Sequence, residues 1–324
     1  MRPDPFGVRA AAAWVLGQTK LVTVVPEAVG RVAAAWELSA LPGPPSWEDG
    51  WHWRGDLEDT AQFVLVLDVL NHCFWPGRPR WSVPGPGGEQ VNGYRALAHV
   101  LAERARTGQR DLLDAESLAS MTPGRLEALL GGTGELPWLA ERAAHLREAG
   151  AWLLRSHGGH FLRVVQASRG SGVALGRSVL EELSSFRDIP LWRGRSLPML
   201  KRLQILVADV ATALGGDGGF VFGDLDGLTA FADYKVPQVL EALGILCYAP
   251  DLREALLAGQ ELEWGSEPEL ALRAGTIVAV DELTEALAAR GHQVRPLDVD
   301  VHLWTLGQEM DLPVPYHRTR TWFY

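Results

Sequence analysis

Three aspartates lie close to four aromatic side chains in the stretch 220–238. The acids are Asp224, Asp226 and Asp233, and the aromatic residues are Phe220, Phe222, Phe231 and Tyr234. Because apolar surroundings disfavour the charged form of a carboxyl group, acids in such a place are usually paired, used as helix caps or used in chemistry. This stretch is therefore the first candidate for a functional site.

The local pattern assigns the three acids different roles. Asp224 or Asp226 can cap a helix that is predicted to begin at Leu228, by accepting a free backbone N–H. Asp233 follows Asp226 by seven residues, which is two turns along the same face of that helix. Pro237 is then expected to end or kink the helix. The same pattern also fits a helix with a polar N-terminus and an incidental, exposed Asp233.

Lys201 is a second candidate. It lies in the first turn of a predicted helix over 199–214, which is apolar on most of its surface and is expected to be buried. The positive end of the helix dipole is unfavourable for a cation, so this lysine needs an anion nearby. The sequence leaves two partners open, a structural carboxylate and a bound phosphate, which the free N–H groups of the helix start would also favour.

Asp300 and Trp304 are one helical turn apart and share a face. An indole stacked on a flat heterocycle, with a carboxylate at its edge, would bind a base, although a capping Asp and a core Trp fit the pattern as well. His72 and Trp75 repeat the arrangement at the end of a predicted buried helix over 59–73. A histidine in such a place is usually a hydrogen-bonded core residue.

Composition restricts the partners. The 324 residues carry a formal net charge of −10, which opposes binding to a nucleic-acid backbone but not to a small anion held by local cations. Two cysteines cannot form a disulfide framework, so a reduced, cytoplasmic compartment is expected. The sequence contains no signal peptide or membrane-spanning run. We therefore expect a monomer that binds a metabolite, not a nucleic-acid polymer or a membrane.

Common catalytic motifs are missing from the sequence. His157 and His160 are separated by a Gly pair that breaks the helix, and neither HExxH nor GxSxG occurs. We therefore expect no metal site and no Ser nucleophile.

Helical patterns dominate, and strands do not alternate with helices, so an all-α fold is predicted. Helices are expected at 93–106, after the cap Thr122 and from 137 to 153. Loops are predicted at 39–56 and 215–219. We expect one helical domain over residues 1–324, which leaves room for two lobes that meet at the active site.

Several ordered blocks resemble the queuosine salvage protein family, the queuosine 5'-phosphate N-glycosylase/hydrolases. The similarity is strongest from about residue 186 onwards. The blocks are Asn-His-Cys-Phe-Trp at 71–75, Gly-Tyr at 93–94, Ser-Phe-Arg-Asp at 185–188, Lys-Arg-Leu-Gln-Ile-Leu-Val-Ala-Asp at 201–209, Asp-Gly-Leu-Thr-Ala-Phe-Ala-Asp-Tyr at 226–234, Val-Asp-Val-His-Leu-Trp at 299–304 and Tyr-His-Arg-Thr-Arg at 316–320. Two positions depart from the family pattern, Lys235 in place of Arg and His72 in place of Phe.

The resemblance implies a fold related to the helix-hairpin-helix DNA glycosylases. It also implies cleavage of the N-glycosidic bond of queuosine 5'-phosphate to queuine and ribose 5-phosphate, without metal or cofactor. Such cleavage builds positive charge at the anomeric carbon, which the Asp233 carboxylate would stabilise or capture.

The resemblance also suggests which side chains bind the substrate. Lys201 would hold the 5'-phosphate, Asp224 or Asp226 would read the base, and Phe222 or Trp304 would stack on it. Tyr234, Asp300 and His72 complete the expected substrate-binding set. A DNA base glycosylase and a helical module that binds a modified nucleotide without cleaving it are the alternative functions.

Overall fold

The computed structural model describes residues 2–36, 47, 50–215 and 219–324. Within them the protein is mostly helical. The α-helices are α1 (Val8–Gln18), α2 (Pro26–Ala35), α3 (Leu57–Leu70), α4 (Gly93–Arg106), α5 (Ala115–Ala119), α6 (Pro123–Leu130), α7 (Leu139–His157), α8 (Phe161–Ala167), α9 (Gly172–Glu182), α10 (Lys201–Ala213), α11 (Val236–Ala242), α12 (Pro250–Leu257), α13 (Glu267–Ala288) and α14 (Pro296–Glu309).

Six short strands form three two-stranded antiparallel sheets among the described residues. The strands are β1 (Val22–Val24), β2 (Ser82–Pro84), β3 (Gln90–Asn92), β4 (Leu191–Trp192), β5 (Arg195–Ser196) and β6 (Leu246–Tyr248), which pair as β1 with β6, β2 with β3 and β4 with β5. The mainly helical class is confirmed. None of the described helices combines the length and apolar character that crossing a bilayer requires.

The chain divides into two units, which are described separately. The first comprises Met1–Pro45, Asp188–Gln204 and Asp226–Arg320, and the second comprises Ser46–Arg187, Ile205–Leu225 and Thr321–Tyr324. Of the predicted loops, residues 39–46, 48–49 and 216–218 lie outside the part of the chain that the structure describes.

Helix α13 forms the centre of the first unit and packs against α1, α2, α11 and α14. Its length and its apolar residues on most sides make it a buried helix, and Pro268 and two acids suit its first turn. Gly275 lets this helix approach β1, because a Cβ atom there would lie 2.7 Å from Val22 Cγ1. The Val278-Ala279-Val280 run is helical, as its flanks predict.

Helix α3 is the central helix of the second unit, where it contacts α4, α7 and α8. Asp56 begins it by accepting the Asp59 N–H (2.8 Å), and every residue from Thr60 to Leu70 is buried. The predicted helix 93–106 is α4, the Thr122 cap of α6 accepts the Arg125 N–H, and Gly158 ends α7 in the left-handed conformation. The existence of these elements is confirmed, but the predicted bounds of two helices were wrong. Helix α3 ends at Leu70 and not at residue 73, and α7 runs from Leu139 to His157 and not from 137 to 153.

The helix predicted to begin at Leu228 does not form. Residues 228–235 lie outside helices and strands, and α11 begins at Val236 with Pro237 in its first turn. A proline there loses no hydrogen bond, because the first N–H groups of a helix have no partner within it. Pro237 therefore lies at the start of a helix instead of ending one, and the spacing of Asp226 and Asp233 is not helical.

The predicted start of the helix over 199–214 was also wrong. Helix α10 begins at Lys201 and not at 199, because Leu200 has a φ of 52°, in the left-handed region that an α-helix excludes. Lys201 is consequently the first residue of its helix. Further along the chain, α11 ends at Ala242, and Leu246 begins strand β6.

Candidate active site

The segment 228–235, which carries Asp233, is held by side chains that bond several of its backbone polar groups, and it has no strand partner among the described residues. These side chains come from four helices of the first unit. Arg9 of α1 donates to the O atoms of Gly227 (3.1 Å) and Leu228 (2.6 Å). Gln204 of α10 accepts from the N atom of Thr229 (2.7 Å), and Asp300 of α14 accepts from the N atom of Phe231 (2.9 Å). Arg273 of α13 donates from Nε to the O atom of Ala232 (3.0 Å). The segment is thus held at successive residues up to Asp233.

Arg273 is itself fixed by two buried carboxylates. Its Nη1 atom donates to Glu269 Oε1 (3.1 Å) and Asp188 Oδ1 (3.2 Å), and its Nη2 atom donates to Asp188 Oδ2. Trp264 Nε1 also donates to Asp188 Oδ1 (3.2 Å). Buried charges need such complete pairing, and the result is a rigid donor for the Ala232 carbonyl.

Sequence reasoning missed this network. Its signal was a single arginine in the apolar run Leu-Ala-Leu-Arg-Ala-Gly-Thr-Ile at 270–277, because a lone charge in a fully buried helix requires an internal partner. The Ser-Phe-Arg-Asp block at 185–188 contained that partner.

Asp233 retains only 8% of its surface exposed. Its Oδ1 atom accepts the backbone N–H groups of Lys235 (2.8 Å) and Val236 (3.1 Å), at the start of α11. The carboxylate is therefore oriented by two backbone donors and lies at the end of a helix that favours negative charge. Both of these hydrogen bonds use the same oxygen.

Asp300 lies beside Asp233 and is more deeply buried, at 3% exposed. Burial raises the pKa of the Asp300 carboxyl well above its usual range, and the negative charge of Asp233 raises this pKa further. The Phe231 N–H and the positive charge of Lys201 lower the same pKa, but they do not cancel the rise.

Lys201 is buried at the N-terminus of α10 and close enough to Asp300 to affect its pKa. The predicted anionic environment therefore includes at least one acidic side chain. Of the two partners that the sequence left open for Lys201, a nearby carboxyl group agrees with the structural carboxylate, and a bound phosphate is compatible with it as a further partner.

Tyr234 and Lys235 follow Asp233 directly. The Tyr234 ring lies 5.0 Å from that of Tyr316. The alkyl chain of Lys235 lies along α14 at Gly307, where a Cβ atom would come within 3.2 Å of Lys235 Cε. Partial burial lowers the pKa of the Lys235 amine, and Asp233 partly opposes this change.

Trp304 and Asp226 differ in their surroundings. Trp304 is half-buried and packs against the apolar core of the first unit, one turn after Asp300. Asp226 is exposed in the 3₁₀ turn Leu225–Gly227, where its charge contributes to raising the pKa of Arg295.

Three predicted site residues belong to the second unit. Asp224 does not cap a helix at Leu228, because that helix is absent; its carboxylate instead accepts, at the start of α9, from Ser171 Oγ and from the N atoms of Gly172 (2.6 Å) and Val173 (3.3 Å). Phe222 is buried. His72 is also buried, and its ring lies 5.5 Å from that of His145.

Metal ligation has no candidate group in residues 2–36, 47, 50–215 and 219–324, where no three His, Cys, Asp or Glu side chains cluster suitably. The chemical resources found in the first unit are instead an oriented carboxylate, a buried acid and a lysine. Such a set can stabilise positive charge and hold an anion.

A mainly helical protein in which a second buried acid, Asp300, lies near the oriented carboxylate of Asp233 fits the class of enzymes that cleave glycosidic bonds. A family model described as the queuosine salvage protein matches residues 51–324. The queuosine 5'-phosphate N-glycosylase/hydrolase of Sphaerobacter thermophilus is 42% identical over 322 residues, covering 99% of this chain and 98% of that protein. Proteins of the same name from Dictyostelium discoideum and Bos taurus are each 32% identical, covering 98% of this chain and 98% of their own lengths.

The chain therefore belongs to the queuosine salvage protein family. The resemblance found in the short sequence blocks extends over the whole length of these relatives.

Proposed function

We propose that this protein hydrolyses the N-glycosidic bond of queuosine 5'-monophosphate and releases queuine and ribose 5-phosphate, so that queuine is salvaged for tRNA modification in the cytoplasm. The names and full-length similarity of the relatives support this substrate. The observation in the structure that supports the chemistry best is the Asp233 carboxylate, nearly buried and oriented by two backbone N–H groups.

In the proposed reaction, the C1'–N9 bond breaks and its electron pair leaves with the 7-deazaguanine base. Asp233 stabilises the resulting oxocarbenium ion, either as an ion pair or by forming a covalent ester. Water supplies the oxygen that finally bonds to C1', and its proton balances the charge on the base. Neither metal nor cofactor takes part in this scheme.

The substrate contacts proposed in the first unit follow from charge and placement. Lys201, at a helix N-terminus, binds the 5'-phosphate. Trp304 stacks on the base, Tyr234 and Asp300 line the site, and Asp226 reads the base edge. The corresponding roles of Phe222, Asp224 and His72 remain predictions from the sequence, and the acceptor atoms of Asp224 already serve α9.

Further parts of the proposal concern organisation. We propose that residues 1–324 act as one enzyme domain related to the helix-hairpin-helix DNA glycosylases. The protein is proposed to act as a monomer on the free nucleotide. The net charge of −10 supports a small substrate over a nucleic-acid polymer.

The test is incubation of the purified protein with queuosine 5'-monophosphate and mass detection of free queuine. We expect release by the wild type and a loss of at least about 10³-fold in Asp233→Asn, whose side chain keeps the acceptor oxygen but not the charge. Tight binding without release would favour the binding module. Full release by Asp233→Asn would contradict the proposed role of Asp233.

A further inference from the structure

Asp300 and Asp233 are linked through one short piece of backbone. Asp300 Oδ1 accepts the N–H of Phe231 (2.9 Å), two residues before Asp233, and Asp233 Oδ1 accepts the N–H groups with which α11 begins. Helix α14 thereby holds the segment 228–235 at Phe231, and Asp233 holds the end of the segment at Lys235. A substitution of Asp300 is therefore expected to displace Asp233 through the two peptide units between Phe231 and Asp233.

The charged groups around Asp300 come from two other elements. Asp233 belongs to the segment 228–235, and Lys201 is the first residue of α10. Two neighbouring carboxyl groups in a poorly solvated place do not readily ionise together, and one of them retains a proton. Asp300 is the more deeply buried of the pair, while Asp233 has the backbone donors that stabilise a negative charge.

We propose that Asp300 is a positioning residue for Asp233 that works in its protonated form. Its Oδ1 atom anchors the Phe231 N–H, and its neutrality leaves the single negative charge of the pair on Asp233. The proposal rests on the N-glycosidase function proposed above and adds a second acid with a distinct role.

A consequence follows for the dependence of activity on pH. Burial and the charge of Asp233 raise the pKa of Asp300, so this group loses its proton on the alkaline side of the usual carboxyl range. A second negative charge then forms beside Asp233. This charge repels an anionic substrate and disturbs the anchored segment, so the rate falls as the pH rises through the pKa of Asp300.

Asp300→Asn is the decisive variant, because a carboxamide has the shape of a protonated carboxyl group and keeps an acceptor for Phe231. We expect it to retain kcat within about tenfold at pH 6, the effect of one altered hydrogen bond, and to lose the alkaline fall in rate. Asp300→Ala removes the acceptor, and we expect it to lose about 10²-fold in kcat through misplacement of Asp233. Glu309→Gln, at an exposed site on the same helix, is the matched control.

Two activity results would overturn the proposal. One is an Asp300→Asn variant as inactive as Asp233→Asn at every pH, which would mean that Asp300 must ionise or donate a proton. The other is an Asp300→Asn variant with the pH profile of the wild type. If the wild type releases no queuine, the proposed function fails, and the proposal about Asp300 is then judged by stability alone.

Stability supplies that independent measurement. An acid whose pKa is raised in the folded state binds more protons when folded, so wild-type stability decreases as the pH rises from about 4 through the folded pKa. Asp300→Asn removes this contribution, and urea unfolding should show a smaller decrease and no loss of stability at pH 7. If the free energy of unfolding of the variant depended on pH as that of the wild type does, the proposed protonated state of Asp300 would be wrong.

Discussion

Asp233 and Asp224 perform the same structural task in two regions of the molecule. Each accepts backbone N–H groups at the start of a helix, α11 in the first unit and α9 in the second. Asp224 uses both of its oxygens and also accepts a hydroxyl donor from Ser171. The hydrogen bonds found for Asp233 in the described chain both go to Oδ1.

The difference shows how a cap can also serve as a reactive group. Capping fixes the direction of a carboxylate at little cost, because the donors are backbone groups that need an acceptor in any case. Whether the acid is left with acceptor capacity for a substrate depends on how many donors surround it. By this criterion Asp233 is suited to chemistry and Asp224 to structure.

The same substitution at the two caps tests this distinction directly. Asn caps a helix about as well as Asp. We therefore expect Asp233→Asn to lower queuine release by at least about 10³-fold and Asp224→Asn to leave kcat/KM within a few-fold. Steady-state kinetics by mass detection of queuine measures both. A large loss of kcat/KM in Asp224→Asn with an unchanged free energy of unfolding would show that Asp224 reads the base, as the sequence suggested, and the distinction would be wrong.

The buried network around Arg273 stabilises the first unit, which contains Asp233 but not Asp224. We expect Arg273→Met to reduce the free energy of unfolding by about 3–5 kcal/mol, because Asp188 and Glu269 would be left buried without their cation. Urea unfolding is the measurement. Arg320→Ala, which breaks an exposed ion pair with Glu261, is the control and should cost less than about 1 kcal/mol. Equal effects of the two substitutions would contradict a structural role for the network.

Lys201→Met tests whether the cation near the two acids serves a phosphate. We expect KM for queuosine 5'-monophosphate to rise by about 10- to 100-fold, the loss of one charge-assisted contact. KM for the nucleoside queuosine should be nearly unchanged. Equal increases in KM for both compounds would assign Lys201 to a structural carboxylate instead.

His317 is close enough to Arg273 for that charge to affect its pKa, and we expect a smaller effect on stability from its substitution. Burial and the charge of Arg273 lower the pKa of His317 to about 3, so the imidazole is neutral when folded. The unfolded chain binds the extra proton below about pH 6.5, and stability should therefore fall with decreasing pH by at most about 1.4 kcal/mol per unit. His317→Gln should show a weaker dependence between pH 6 and 4. The same slope in both proteins would contradict this origin.

The sequence predicted most helices because their signals are local. Apolar spacing identified α3, and the Thr122-Pro123 pair identified the start of α6. The segment 228–235 could not be predicted in this way. Its conformation depends on Gln204, Arg273 and Asp300, which lie far away in sequence and satisfy its backbone one group at a time.

Candidate side chains were easier to identify than their surroundings. Asp233, Lys201 and Asp300 were found from residue type and from the resemblance, and the pKa of Asp300 reflects the proximity of the other two. The contact of Asp224 with α9 was not foreseeable, because Ser171 and Gly172 carry no signal for a partner that lies 53 and 52 residues later in a loop.

The support of the segment 228–235 has a consequence for how the protein acquires activity during synthesis. Its four supporting side chains range from Arg9 in α1 to Asp300 in α14, which are separated by most of the described helices. Contacts this distant form only after large loops have closed, so a ribosome-bound chain that still lacks α14 leaves the Phe231 N–H without its acceptor. Competence for catalysis should then arise abruptly, once α14 has been synthesised and has packed, instead of growing with chain length.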